Sequence, residues 1–374
     1  MAQRGAPRAR NMPSLRVGGH VSTPTVDAAL VEMASFGLSA RTVLVDLTEA
    51  ESFDVVALQQ LLSAVAARDR KRLETCFRLP AGPAPRHQLR QWRFPTAVSA
   101  VTGMPFRLLV VPEDYAYFGE AWPTDPLSGA ADSPRSSVHA YLTSQQCFGL
   151  RPYELKDSLT RRHMLESEVA HWGGHALSRL LEHILCGPAA DVLRVLVQEL
   201  VSGALQRTGA QTAVIGAQLE LPGTAGGTGT LTISEWDDGG LRADMLSKQI
   251  WTGPRGTDRF VVRREGRDAE ETYHAQQPPR QDGGDAEMLL ASLIASNPRD
   301  RGAVGDGEGS HRMYTLYKCA VDTFQGSLRI DSGRHRLRIR AAEGAGSRYE
   351  VDLASGVPPQ NGCLFSVQLP VHDA

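Results

Sequence analysis

The sequence has little cysteine and none of it paired: Cys76, Cys147, Cys186, Cys319 and Cys363 lie far apart, with no CxxC spacing. That pattern argues against a zinc ribbon or a disulfide framework and predicts reduced thiols in a cytoplasmic protein. No apolar run approaches the ~20 residues that a membrane span needs. The basic start, MAQRGAPRARNMPSLR, is not followed by the apolar stretch of a secretory signal. Charge of one sign is missing too. With 40 Lys and Arg against 42 Asp and Glu the formal charge is −2, so no global field recruits nucleic acid or an anionic membrane. No segment repeats at a fixed period, and no GxSxG elbow marks a serine hydrolase.

What is present is the composition of globular protein, 41% hydrophobic and 22% charged, in a chain of 374 residues that has room for two or three domains. Residues 1–14 read as a flexible N-terminus and 15–103 as the first organised block. There VDAALVEMASFG predicts a helix, RTVLVDLTE a buried strand, DVVALQQLLSAVAARDR a second helix and RLETCFRLP another strand, an alternation that indicates an α/β domain. A Pro-rich loop and short helices follow in PAGPAPRHQLRQWRFPTAVSAVTG. Residues 104–158 read as a connecting segment, with a strand and turn in MPFRLLVVPEDYAYF and an exposed loop in WPTDPLSGAADSPRSS.

From 159 to 374 the pattern is helical first and then stranded. RRHMLESEVAHWGGHALSRLLEHIL stops at the Cys186, Gly187, Pro188 breaker. In AADVLRVLVQELVSGALQR the residues Val192, Val195, Leu196, Leu200 and Leu205 form an apolar stripe, so this helix is expected to lie on a sheet. TAVIGAQLEL and GTLTISEW read as a hairpin. The polar region 251–304, dense in charge, reads as a surface insertion or lid. HRMYTLYKCAVDTF is then a helix, and GSLRIDSG, RHRLRIRAAE, RYEVDLA and CLFSVQLPV are four strands.

Three pieces of the second half suit an ATP pocket. Glu199 is an acid on an amphipathic helix. Asp237, at a strand end in SEWDDGGL, suits the exocyclic amine of adenine, and Gly239 lets a base approach the backbone. In GDGEGSHRMYTLYK, Gly305, Gly307 and Gly309 suit a loop wrapping phosphates, and the helix beginning near His311 points its positive end at the same anion. Other features read more plainly: His171, His175 and His183 as helix-surface histidines, and RHRLRIR as the exposed face of a strand.

Taken in order, helix with acid, hairpin ending in DxG, polar lid, glycine loop opening a helix, QGSLRIDSG and a final LFSVQLPV strand, residues 191–371 resemble the GHKL ATPase family of histidine kinases, gyrase, Hsp90 and anti-sigma serine kinases. The resemblance implies an α/β sandwich, a mixed and largely antiparallel sheet covered by helices on one face. It implies ATP as ligand and Glu199 as the base of an ATPase or serine-kinase-like reaction. Gly203 stands where the family has its magnesium-binding Asn, and Arg207 follows on the same helix. Asp237 and Gly239 match the adenine box, with DDGGL one residue shorter than DxGxG. Gly307 and Gly309 match the phosphate-lid glycines, and Ser310, His311 and Arg312 replace a further glycine motif, with His311 or Arg312 able to meet γ-phosphate charge in place of an Asn-held Mg2+. The N-terminal block resembles the STAS fold of anti-sigma factor antagonists. Its VLVDLTEAESFDVVAL loop brings Asp54 or Val55, rather than Ser52, to the place of that family's phosphorylated residue.

The expectation is an intracellular ATP-binding regulator, a STAS-like interaction domain joined to a divergent GHKL domain, of a kind suited to bacterial signalling or defence. Its protein partner would dock on the STAS-like domain, and a homodimer is compatible with it. The alternative is a catalytically inactive GHKL module that senses nucleotide or binds a partner. A mechanochemical ATPase would need a transducer, which a separate subunit would have to supply.

Overall fold

A computed structural model describes residues 12–36, 40–118, 147–154, 192–193, 195–200, 210–220, 228–239, 258–266, 269–274, 285–295, 315–342 and 348–372. The chain is a mixed α/β protein that divides into two compact units, Met1–Glu154 with Val214–Gln218, and Leu155–Ala213 with Leu219–Ala374.

In the first unit two β-β-α passages follow one another. β1 (Ser14–Arg16), β2 (Gly19–Val21) and α1 (Thr23–Ser35) are succeeded by β3 (Thr42–Asp46), β4 (Ala50–Phe53) and α2 (Val55–Arg70), and β5 (Glu74–Arg78) completes the set. β1, β3 and β5 form a parallel sheet in that order, and β2 pairs β4 in parallel. The middle strand has Val43, Leu44 and Val45 all buried, as a strand covered on both faces must.

α2 is buried nearly all round, which apolar residues at three- and four-residue spacing did not announce. Its polar side chains find partners inside the unit. Gln59 Nε2 donates to the Val214 carbonyl at 2.9 Å, Gln60 Nε2 to Asp27 at 3.0 Å, and Arg68 to the Ala40 and Glu74 carbonyls. Residues 214–218 thus complete the cover of this helix. α3 (Pro83–Gln91) and α4 (Phe94–Thr102) close the unit, with Phe77, Phe94 and Phe106 in mutual ring contact at 5.4–6.2 Å.

Two expectations here are corrected. The predicted strand and turn over 104–118 is a pair of 3-10 turns, Phe106–Leu109 and Pro112–Phe118. Pro105 and Pro112 each fix φ and remove a donor, so the segment joins the sheet through a single bridge, Val110 to Phe77, with the Val111 N–H donating to the Phe77 carbonyl at 3.0 Å. The predicted connecting segment also contains β6 (Cys147–Glu154), anchored by Leu150 N–H on the Trp92 carbonyl at 2.8 Å.

The second unit is built around one long strand. After β7 (Thr212–Glu220), whose Val214–Gln218 belong to the first unit, β8 (Thr228–Asp237), β9 (Arg259–Arg264), β10 (Glu270–His274), β11 (Ser327–Ala341) and β12 (Arg348–His372) appear in chain order, with α5 (Asp285–Ala295) before β11. β12 runs along β11 on one side; on the other its first half lies parallel to β9 and its second half antiparallel to β8. β10 pairs antiparallel with β9. The four strands expected after 326 are therefore two, each continuing through an irregularity at Ser332–His335 and its partner segment. Gly333, at φ +58°, lets β11 keep pairing across that break. The region read as a polar lid also holds β9, whose Phe260, Val261 and Val262 are buried, together with β10 and α5.

The apolar and polar faces of the β11–β12 hairpin separate by strict alternation. Leu337, Ile339, Val351 and Leu353 line one face, and Arg336, Arg338, Arg340, Glu350 and Asp352 the other. Tyr317, in the helical residues 315–323, meets Tyr349 at 5.3 Å and Phe260 at 6.1 Å, which seats that helix on the apolar face.

Candidate functional site

Asp237 ends β8. The register sets it opposite Cys363, and Cys363 opposite Ser332, so Asp237 shares its face with Glu235, Phe365, Ile330 and Val367. Its side chain is fully buried. Oδ1 accepts the Gly239 N–H at 2.9 Å, closing a short turn.

Asp238, which the sequence reading passed over, ties the same turn to the start of β7. Its Oδ1 accepts the N–H groups of Gln211 at 2.7 Å and Thr212 at 3.0 Å, and its own N–H donates to the Thr212 carbonyl at 3.1 Å. Two glycines frame the carboxylate. A Cβ on Gly239 would stand 2.9 Å from Ala210 Cβ and N, and one on Gly362, at φ +92°, would stand 1.8 Å from the Asp237 carbonyl oxygen. Close approach explains Gly239, and Ala210 is the group that approaches.

Glu199 is half-buried on the helical residues 195–200. The buried stripe of that helix is Leu193, Leu196, Val197 and Leu200, whereas Val195 is 42% exposed, so the expected stripe is rotated by part of a turn. The charge of Glu199 is felt at Cys319. Burial first, then the carboxylates of Glu199 and Asp322, push that thiol up to about 11. The acid-bearing helix and the helix that follows the glycine-rich segment in sequence are thus within electrostatic range of each other.

Beside Cys319 the chain winds into π-helical turns, Lys318–Thr323. Lys318 Nζ lies 3.0 Å from Asp258 and 3.0 Å from Asp322 and also meets Tyr349 Oη, while Tyr317 Oη donates to Asp258 at 3.2 Å. This polar knot fixes the helix on β9 and β12.

On the opposite face the basic run is matched by acids. Asp331, 1% exposed, takes Arg329 and Arg336, the latter at 3.1 Å. Arg340 reaches Glu350 at 3.0 Å, and Arg263 the same carboxylate at 3.2 Å. Burial would raise the Asp331 carboxyl, but Arg329 and Arg336 together hold it below the ordinary value.

Gly203, Arg207, Gly305, Gly307, Gly309, Ser310, His311 and Arg312 lie outside the described residues, as do His171, His175 and His183. Among the described residues no group of three or more His, Cys, Asp or Glu is placed to hold a metal ion, and no helix is long and apolar enough to cross a membrane. No protein-family model matches the chain, and neither a curated protein nor a solved structure matches it.

Proposed function

We propose that the second unit is a divergent GHKL-type nucleotide-binding module, and that the chain is an ATP-binding regulator whose first, STAS-like unit docks a protein partner. The observation that carries this reading is Asp237, a fully buried carboxylate at the end of β8 whose Oδ1 closes the turn onto the Gly239 N–H at 2.9 Å. Glu199 supports it, as an acid whose charge reaches Cys319 on the helical residues 315–323, downstream of Gly305, Gly307 and Gly309 in sequence.

A buried carboxylate is a fitting acceptor for the exocyclic amine of adenine, since both partners leave water and the charge strengthens the bond. Glu199 would orient a water or hydroxyl and take its proton. The glycine loop and the following helix would hold phosphates through N–H groups, with His311 and Arg312 adding positive charge. ATP, when bound, supplies the activated phosphoryl group, and Mg2+ the neutralisation of its charge. Gly203 offers no side chain to that metal, which favours a module that holds nucleotide with little turnover.

Turnover by wild type and Glu199→Gln decides between the two modes. A rate lost in the variant with nucleotide affinity unchanged supports Glu199 as base. Equal background rates with ATP still bound leave a binding module, and wild type that binds no ATP overturns both.

A further inference from the structure

A second constellation stands in the first unit, independent of the nucleotide reading. β2 and β4 pair in parallel with an irregularity after Gly19, whose φ of +63° lets one extra residue of β4 slip in, and the register then sets His20 directly opposite Ser52. Asp54 lies two residues past Ser52, and its N–H donates to the Val21 carbonyl at 3.0 Å, so the ladder continues through it. Ser52 and Asp54 therefore share one side of the chain, with His20 facing them.

The side chains complete what the register begins. His20 Nδ1 is 2.7 Å from Ser52 Oγ, and His20 Nε2 is 3.0 Å from Asp54 Oδ1. A neutral imidazole carrying its proton on Nε2 donates to the carboxylate and accepts from the hydroxyl.

Asp54 is also the N-cap residue of α2, the position where an Asp normally accepts an N–H of its own helix. Here its side chain makes no such cap bond and turns to His20 instead. Gln218 takes over at the helix start, with Oε1 accepting the Val55 N–H at 2.9 Å and Nε2 reaching Asp54 at 3.5 Å. The positive end of a 16-residue helix thus begins three residues beyond Ser52, where it favours developing negative charge. The His20 side chain is 54% exposed, Ser52 is half-buried and their contact lies at the surface, so a small electrophile has access.

We propose that Ser52, His20 and Asp54 form a nucleophilic relay that takes an acyl group from an activated ester or thioester, with Ser52 the acceptor, His20 the general base and Asp54 the residue that holds the imidazole. Ser52 Oγ bonds to the carbonyl carbon as its proton passes to His20 Nδ1, and the bond to the leaving alkoxide or thiolate breaks as that proton passes on to it. Water, deprotonated by the same imidazole, then releases the acid and restores Ser52. A serine so activated has no sequence elbow to announce it, because its base comes from another strand.

The test is covalent labelling of the full chain by a fluorophosphonate, in which the Ser52 oxygen displaces fluoride from phosphorus and the proton leaves through His20. Intact mass and peptide mapping read the site, and p-nitrophenyl acetate hydrolysis gives a second rate. Wild type is expected to label at Ser52. Ser52→Ala is expected to lose the label, and His20→Gln to slow it roughly a hundred-fold or more. Asp54→Asn is expected to slow it as well while leaving Ser52 the labelled residue. Melting temperatures within a few degrees of wild type would show that Ser52→Ala and His20→Gln still fold. Unlabelled but folded wild type, or labelling equally fast in His20→Gln, overturns the relay.

Discussion

Asp331 shows how a single buried acid sets a pH limit. Its carboxyl titrates below the ordinary value because Arg329 and Arg336 outweigh burial, so the unfolded chain takes up the proton first as pH falls. The stability it contributes is complete above about pH 4 and is lost as pH falls from there through the folded value. Asp331→Asn should cost roughly 3 kcal/mol at neutral pH, and urea midpoints of variant and wild type should converge in acid. Cys76 and Cys319 make the complementary case. Burial is the first cause that pushes each thiol up to about 11, so at pH 8 only about one thiol in a thousand is ionised. Both should resist iodoacetamide in the folded protein, and Glu199→Gln should speed alkylation of Cys319 about two- to five-fold by removing one nearby charge. Peptide mass spectrometry checks both, and an unchanged rate at Cys319 would detach Glu199 from the 315–323 helix.

Elements were legible in the sequence where one period governed them, and less so where tertiary contacts chose among phases. α1, α2, β3, β5, β7 and β8 stand within a few residues of the segments their apolar patterns mark. The helix carrying Glu199 was legible as a helix but not in phase, because its tract is apolar on more than one face and Val195 lost to Leu193 and Val197. Leu196→Ala should therefore cost about 3 kcal/mol, while Val195→Ser should stay within about 0.5 kcal/mol. The short strands β1, β2 and β4 left no such pattern, since three or four residues carry too little alternation. The union of four expected strands into β11 and β12 depends on pairing across Gly333, which no local window reports. Gly326, where β11 begins, has the same contextual origin. A Cβ there would lie 2.1 Å from the Gln368 carbonyl oxygen, so Gly326→Ala should lower stability by roughly 2–3 kcal/mol in denaturant titration.

For the whole molecule, two units on one chain carry two proposed chemistries to separate by experiment. Glu199, Asp237 and Gly239 stand out in the sequence because each belongs to a local pattern of apolar, acidic or glycine residues. The relay of His20, Ser52 and Asp54 does not, because it exists only once β2 lies beside β4. The DDGG turn was legible as a turn, but the work of Asp238 on Gln211 and Thr212 emerges only in the fold. Nucleotide bound to the folded protein raises its stability by about 2.7 kcal/mol at a hundred-fold excess over Kd, so ATP should raise the melting temperature in wild type and in Ser52→Ala alike. The most direct test of the nucleotide reading is calorimetric titration of ATP, with and without Mg2+, into wild type and Asp237→Asn. The Asn keeps an oxygen for the Gly239 N–H and replaces the other with a donor that opposes an amine. A saturable heat in wild type that the folded variant loses is the predicted result; no heat in wild type, or the same heat in both, contradicts it.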